Sequence, residues 1–150
     1  MPAYKAPLRD IRFLMNEVLD YPAHYQTLSN GEYADADTVD MILEGAADFC
    51  ENELSPINQS GDREGCTWND GVVTTPTGFK EAYQKYIELG FPSLSAEEQY
   101  GGQGLPVSLG NVISEMVGTS NWAWGMYPGL SHGAVRTLEH HGSDEQKNTY

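Results

Sequence analysis

The residues of this chain that could carry chemistry are few. His132, His140 and His141 fall close together in sequence, with Glu139 beside the last two. Metal-binding helices place their ligands at i,i+3 or i,i+4, so that they share one face. No His pair here has that spacing, and His24 is remote. Solvated histidines, or histidines at a helix C-terminus where a cation suits the dipole, describe the set better, and no metal ligand is assigned. Gly101-Gly-Gln-Gly104 is glycine-rich but lacks the lysine and hydroxyl of a phosphate loop and the strand that opens a dinucleotide fold. Glu97 and Glu98 beside it are the wrong sign for phosphate, so the stretch reads as a turn. Ser131 and His132 are adjacent, and neighbours on a helix point about 100° apart, which rules out a nucleophile–base pair. Glu115 stands alone on an apolar helix and reads as solvated or ion-paired. No catalytic residue is assigned within the chain.

The elements that would position such residues are helical. Leu8, Ile11, Leu14, Met15, Val18 and Leu19 keep a helical period between Pro7 and Pro22. Residues 22–36 lose it and collect Ser29, Asn30 and Gly31, a loop signal that makes the leader separable from the rest of the chain. From Asp37, the residues Val39, Ile42, Leu43, Ala46, Phe49 and Cys50 form one stripe, which Pro56 should end. Asp35 or Asp37 is suited to cap this helix, and a close helix contact would explain Gly45. Residues 57–77 are polar and turn-rich, with one short extended piece at Val72–Thr74. Thr77 is a candidate cap for a helix carrying Phe79, Tyr83, Tyr86 and Ile87, and Gly90 fits a left-handed residue after it. Tyr100 to Gly104 is a tight turn, and Pro106 starts a helix through Val107, Val112, Ile113, Met116 and Val117. A last long segment, about Trp122 to His141, carries the stripe Met126, Leu130, Ala134 and Leu138. Pro128 within it predicts a kink or a later start. Ser143 and Gln146 have capping-box spacing for a further helix. The fold class expected is all-α, a helical bundle truncated at its C-terminal edge.

Composition narrows the function. The 150 residues are 39% hydrophobic, enough to fold as one domain. Acidic residues number 22 against 8 basic, a net charge of −14. That field repels nucleic-acid phosphates and anionic membranes, and mainly keeps a protein soluble. Cys50 and Cys66 make no disulfide framework, and Cys50 reads as a buried apolar residue. The start, Met-Pro-Ala-Tyr-Lys, lacks the apolar run of a signal peptide, and no stretch approaches the ~20 apolar residues of a membrane span. The cytoplasm is the expected address.

Three passages in order carry a resemblance. Glu88 to Pro106 resembles the signature turn of acyl-CoA dehydrogenase N-terminal domains. Ile113-Ser-Glu-Met116 comes after it at the distance expected. His140 to Tyr150 is similar to the Gly-x-x-x-Gln-Lys-x-x-Tyr run that closes that domain, here Gly142, Gln146, Lys147 and Tyr150. The match covers residues 37–150, and residues 1–36 resemble the N-terminal extension of a longer, 3-methylmercaptopropionyl-CoA dehydrogenase-like subgroup. The resemblance implies a homo-oligomeric FAD enzyme of fatty acid metabolism, built from this domain plus a middle β-domain and a C-terminal helical bundle. Its reaction is α,β-dehydrogenation of an acyl-CoA thioester to the trans-2-enoyl-CoA, with an electron-transfer flavoprotein as oxidant. It places the catalytic base and the cofactor-binding residues beyond Tyr150. To this chain it gives one wall of the acyl pocket, with Met126, Tyr127, Leu130 and Ser131 as substrate-binding residues. The bulk of Trp122, Trp124, Tyr127 and Pro128 is a departure that could shorten the pocket or kink its wall. The fragment alone is then expected to hold no FAD and to expose apolar surface where the other domains dock. The competing reading is a non-catalytic acidic helical module that binds another protein.

Overall fold

The computed structural model describes residues 3–150. Met1 and Pro2, the first two residues of the start that lacks a signal-peptide pattern, lie outside the described residues. Among the described residues eight α-helices carry the fold: α1 (Leu8–Phe13), α2 (Tyr21–Tyr25), α3 (Ala36–Phe49), α4 (Ser55–Glu64), α5 (Phe79–Glu88), α6 (Val107–Ser120), α7 (Trp122–His141) and α8 (Asp144–Thr149). One small hairpin interrupts them, β1 (Thr67–Asn69) pairing antiparallel with β2 (Val72–Thr74) in the register Trp68↔Val73. The polar stretch 57–77 is therefore partly ordered. Asp70 and Gly71 both take positive φ, 46° and 81°, as a two-residue hairpin turn with right-handed strand twist requires.

Prolines act differently from the sequence expectation. Pro56 does not end α3. The chain passes through a π-helical turn, Cys50–Leu54, and Pro56 then sits in the first turn of α4, where its missing N–H costs nothing. Pro22 likewise opens α2 instead of closing α1, after another π-turn at Leu14–Val18 and a left-handed Asp20. Pro128 lies inside α7, which runs unbroken from Trp122. The start of α7 is fixed by its neighbours, and that outweighs the one hydrogen bond Pro128 cannot make.

Capping follows side-chain chemistry. Asp35 accepts from the backbone N–H groups of Asp37 and Thr38. These bonds and that from the Thr38 hydroxyl hold its carboxyl below the usual range. Ser143 and Gln146 close a reciprocal capping box on α8. Thr77 does not cap α5. Gly78 takes that place, and the Thr77 hydroxyl and N–H both donate to Glu64. Gly45 has no heavy atom within 4 Å of where a Cβ would stand, so no close contact explains it.

The buried core draws on residues from Ile11 to Trp124. Leu43, Phe49, Leu54, Leu109, Met116 and Trp124 are fully or almost fully buried at its centre. Trp124 is ringed by Phe49, Tyr83 and Tyr86 at centroid distances of 5.7, 6.1 and 5.4 Å. Its Nε1–H donates to the Phe79 carbonyl at 3.0 Å. Cys50 is buried here too, unpaired, and burial pushes its thiol up to about 11. The leader joins this core and is not separate from it. Ile11, Met15, Tyr25 and Ala34 are buried in the same cluster. The Tyr25 hydroxyl meets Ser108 at 3.0 Å, and Asn30 Nδ2 donates to the Gly104 carbonyl at 2.6 Å. Arg12 bridges Asp40 and Glu44 on α3, and Lys5 pairs with Glu51. Leu14, Val18 and Leu19, expected in the leader's apolar stripe, stay exposed because the π-turn rotates them off the packed face.

Candidate functional site: an apolar groove along α6 and α7

A groove of about 390 Å³ opens between α6, α7 and the end of α5 with the turn after it. Its position depends on the link between α6 and α7. That link is a single residue, Asn121, which is fully buried. Its Oδ1 accepts from the Trp124 N–H at 3.1 Å, capping α7, and its Nδ2 donates to the Leu54 carbonyl at 3.2 Å. One amide thus fixes the start of α7 and ties it to the π-turn before α4. Two glycines let the helices close up. A Cβ on Gly118 would stand 3.1 Å from the Trp122 ring, and one on Gly125 would stand 3.2 Å from Val117 Cγ1.

Three of the four residues expected to bind substrate, Met126, Leu130 and Ser131, line this groove. Tyr127 does not. It points to the other side of α7, edge-on to Phe79 at 6.2 Å, with its hydroxyl 3.6 Å from Cys66 Sγ. That contact and partial burial raise its pKa. The Phe79 and Cys66 contacts hold it there, since helix spacing alone would put Tyr127 on the side of Ser131 at i+4. Trp122, Met126 and Leu130 repeat at i,i+4, so the same rule could have added Trp122 from sequence. Tyr83, Asn111, Ser114, Val117 and Val135 also line the groove and carried no sequence signal as a group.

The groove is chemically bland. Among the described residues no Asp, Glu, Lys or Arg lines it, and His132 is its one imidazole. Near the Asn121 link the lining is Tyr83, Tyr86, Val117, Trp122 and Met126. Farther along both helices, Val107, Leu130 and Val135 line it together with Asn111, Ser114, Ser131 and His132. The α7 side of the groove is open: Trp122 is 72% exposed and Leu130 74%. A contiguous open apolar face of this kind is what a ligand or a docked element covers. The stripe Met126, Leu130, Ala134 and Leu138 therefore faces outward or half outward, and Trp124 alone on α7 enters the core.

The other sequence candidates fall elsewhere. The Gly101–Gly104 turn spends its amides on its own carbonyls. Gly101, Gly102 and Gly104 donate to Glu98, Glu97 and Ala96, and Gln103 donates to Ser93. A Cβ on Gly102 would stand 2.0 Å from the Ala96 carbonyl oxygen, so the glycine is needed for the turn itself. Glu115 is exposed. Among the described residues no three His, Cys, Asp or Glu side chains gather as metal ligands. Among them, too, no helix is long and apolar enough to cross a membrane.

A flavin dinucleotide is a poor fit to these residues alone. Its pyrophosphate needs cations or free amides, yet the groove carries no Lys or Arg, and the glycine turn's amides are already bonded. Lys5, Arg12 and Lys85 are each paired with a carboxylate.

Comparison with known proteins points in the same direction as the motifs. The family description "Acyl-CoA dehydrogenase, N-terminal domain" matches residues 36–150. The chain is 34% identical over 147 residues to the 3-methylmercaptopropionyl-CoA dehydrogenase of Ruegeria pomeroyi, covering 98% of this chain and 25% of that protein. It is 28% identical over 150 residues to a butyryl-CoA dehydrogenase of Syntrophomonas wolfei, covering 98% of the chain and 24% of the relative. It is 29% identical over 152 residues to the broad-specificity linear acyl-CoA dehydrogenase FadE5 of Mycobacterium tuberculosis, again covering 98% and 24%. The chain spans about a quarter of the length of these curated relatives.

Proposed function

We propose, from the premise that this chain belongs to the acyl-CoA dehydrogenase family, that it is the opening helical part of an enzyme dehydrogenating acyl-CoA thioesters to trans-2-enoyl-CoA, and that its α6–α7 groove forms one wall of the acyl-chain site. The observation that carries this reading is the groove itself. An acyl chain is apolar and uncharged, and the groove is lined mainly by apolar and aromatic side chains without a carboxylate or a Lys/Arg cation. In this reading residues 1–36 are an N-terminal extension and 37–150 the family domain, although both share one core.

The chain's own residues bind and orient. Met126 and Leu130 offer apolar contact along α7, and the Ser131 hydroxyl can hold a polar atom of the substrate. The α6–α7 wall seats the chain on one side, and exclusion of water from its Cα–Cβ bond falls to whatever covers the open α7 side. The carboxylate base and the FAD site belong, in this proposal, to parts of the protein outside these 150 residues. The same reading gives an electron-transfer flavoprotein as oxidant, a homo-oligomeric assembly and a cytoplasmic address.

The test uses an acyl-CoA with a diazirine at the chain end, photolysed on the protein made from its complete reading frame. Labelling should concentrate on residues of α6 and the first half of α7, and excess unlabelled acyl-CoA should suppress it. Labelling that is spread over the surface and insensitive to competition refutes the assignment of the groove.

A further inference from the structure

The turn after α5 gives the groove one wall, through Phe91, Pro92, Leu94 and Ser95. The glycine turn holds this wall from behind. The Gln103 and Leu105 amides donate to the Ser93 and Leu94 carbonyls at 2.9 and 3.0 Å. Gln103 Nε2 donates to the Gly90 carbonyl at 2.7 Å. The leader in turn holds the glycine turn. Asn30 Nδ2 donates to the Gly104 carbonyl at 2.6 Å. The Tyr33 ring lies alongside, where a Cβ on Gly104 would stand 3.7 Å from its Cδ2. Farther on, the Tyr25 hydroxyl meets Ser108 Oγ in the first turn of α6 at 3.0 Å. The Asn30 and Tyr25 tethers therefore bracket Leu105, Pro106 and Val107, and Val107 itself lines the groove. Tyr25, Asn30 and Tyr33 are not among the lining residues, so they act on the groove through the turn.

We propose that the leader is a strap on the acyl site: Asn30 and Tyr25 hold the glycine turn to the start of α6 and so keep the Phe91–Ser95 wall in place for the substrate. The inference rests on the reading of the groove as the acyl site. Asn30 is a positioning residue, acting on the substrate through Gly104, Gln103 and Ser93. A segment held by a few contacts opens locally, apart from global unfolding. A ligand that binds only the closed wall draws the turn shut, so acyl-CoA binding and closure of the turn are linked.

The experiment is hydrogen exchange on the flavin-loaded, full-length protein, read at the Gln103 and Leu105 amides with and without a saturated acyl-CoA in the absence of oxygen. Both amides should exchange well before those of α3. Asn30→Ala should speed them roughly two- to tenfold, the range that one hydrogen bond covers. Acyl-CoA at ten times its Kd should slow them about tenfold in the native protein and in the variant. Native exchange in Asn30→Ala overturns the strap, and so does a turn that exchanges only as slowly as α3. Faster exchange that acyl-CoA leaves unchanged, while it still bleaches the flavin, shows a tether with no bearing on the substrate and equally overturns the proposal. If Asn30→Ala does not fold, Tyr25→Phe, which deletes only a hydroxyl, decides at the same two amides. A native protein that neither binds nor dehydrogenates acyl-CoA overturns the acyl-site reading itself, and the strap with it.

Discussion

Replacing Asn121 by Ala should cost more than any other single polar change in the chain. The side chain makes two bonds from a fully buried position, one capping α7 and one to the Leu54 carbonyl. Loss of an N-cap of this type costs about 1 kcal/mol. The Leu54 carbonyl loses its Asn121 donor as well, and an unsatisfied buried acceptor costs about 1–3 kcal/mol. The sum is about 2–4 kcal/mol, which for a domain of this size lowers Tm by roughly 8–16 °C on a scale of about 4 °C per kcal/mol. Urea unfolding followed by circular dichroism measures it, and Asn121→Asp separates the two contributions. The aspartate keeps the cap acceptor but cannot donate to Leu54, so it should recover only part of the loss. A change below about 0.5 kcal/mol in the alanine variant, the size of an ordinary surface substitution, would show that Asn121 does not hold the start of α7. The groove would then need another explanation for its shape.

The same contacts set further expected outcomes. Trp124→Ala removes the centre of the aromatic cluster and should cost about 3–5 kcal/mol, read by urea unfolding. Gly102→Ala places a methyl 2.0 Å from the Ala96 carbonyl oxygen. It should destabilise by about 3 kcal/mol or more as the turn opens, whereas Gly129→Ala, with nothing within 4 Å, should be neutral or stabilising. Thiol titration of the folded chain should find Cys66 reactive and Cys50 protected until unfolding, because Cys50 is buried and Cys66 exposed. The Cys50 thiol is raised from 9.0 to about 11 by burial. Its neutral form is therefore favoured in the fold, and unfolding above pH 9 releases a proton that the folded state keeps. Stability should fall as pH rises from 9 to 11, and a Cys50→Ala variant should lack that alkaline component. Removing residues 1–34 should uncover part of the core that Met15 and Tyr25 close, with dye binding and a lower Tm as the readout.

The sequence made the helical character plain because its apolar periods are strong. The stripe from Val39 to Cys50 does form α3, and Gly90 takes its left-handed φ of 76°. The misreadings came from residues whose local preference is ambiguous. Pro22 and Pro56 can either end a helix or open one, and only the surrounding π-turns show that both open one. The leader reads as separable because residues 22–36 break the apolar period, and ties across that break, such as the buried Tyr25 and the bond from Asn30 to Gly104, have no periodic signature. At the groove, Met126 and Leu130 share a helix face at i,i+4, whereas Ser131 has the spacing of Tyr127 and only the packing against Phe79 and Cys66 shows that Tyr127 turns away. Trp122 and Gly118 went unpaired because the contact between them depends on how tightly the Asn121 link turns, which no pattern of residue types encodes.

The visible absorption spectrum of the protein made from its complete reading frame, recorded without oxygen before and after a saturated acyl-CoA is added, tests the central claim most directly. The account predicts flavin bands that bleach on addition, with trans-2-enoyl-CoA recovered as product. A colourless protein, or flavin bands that no acyl-CoA bleaches, contradicts it and leaves the groove as the docking face of an acidic helical interaction module.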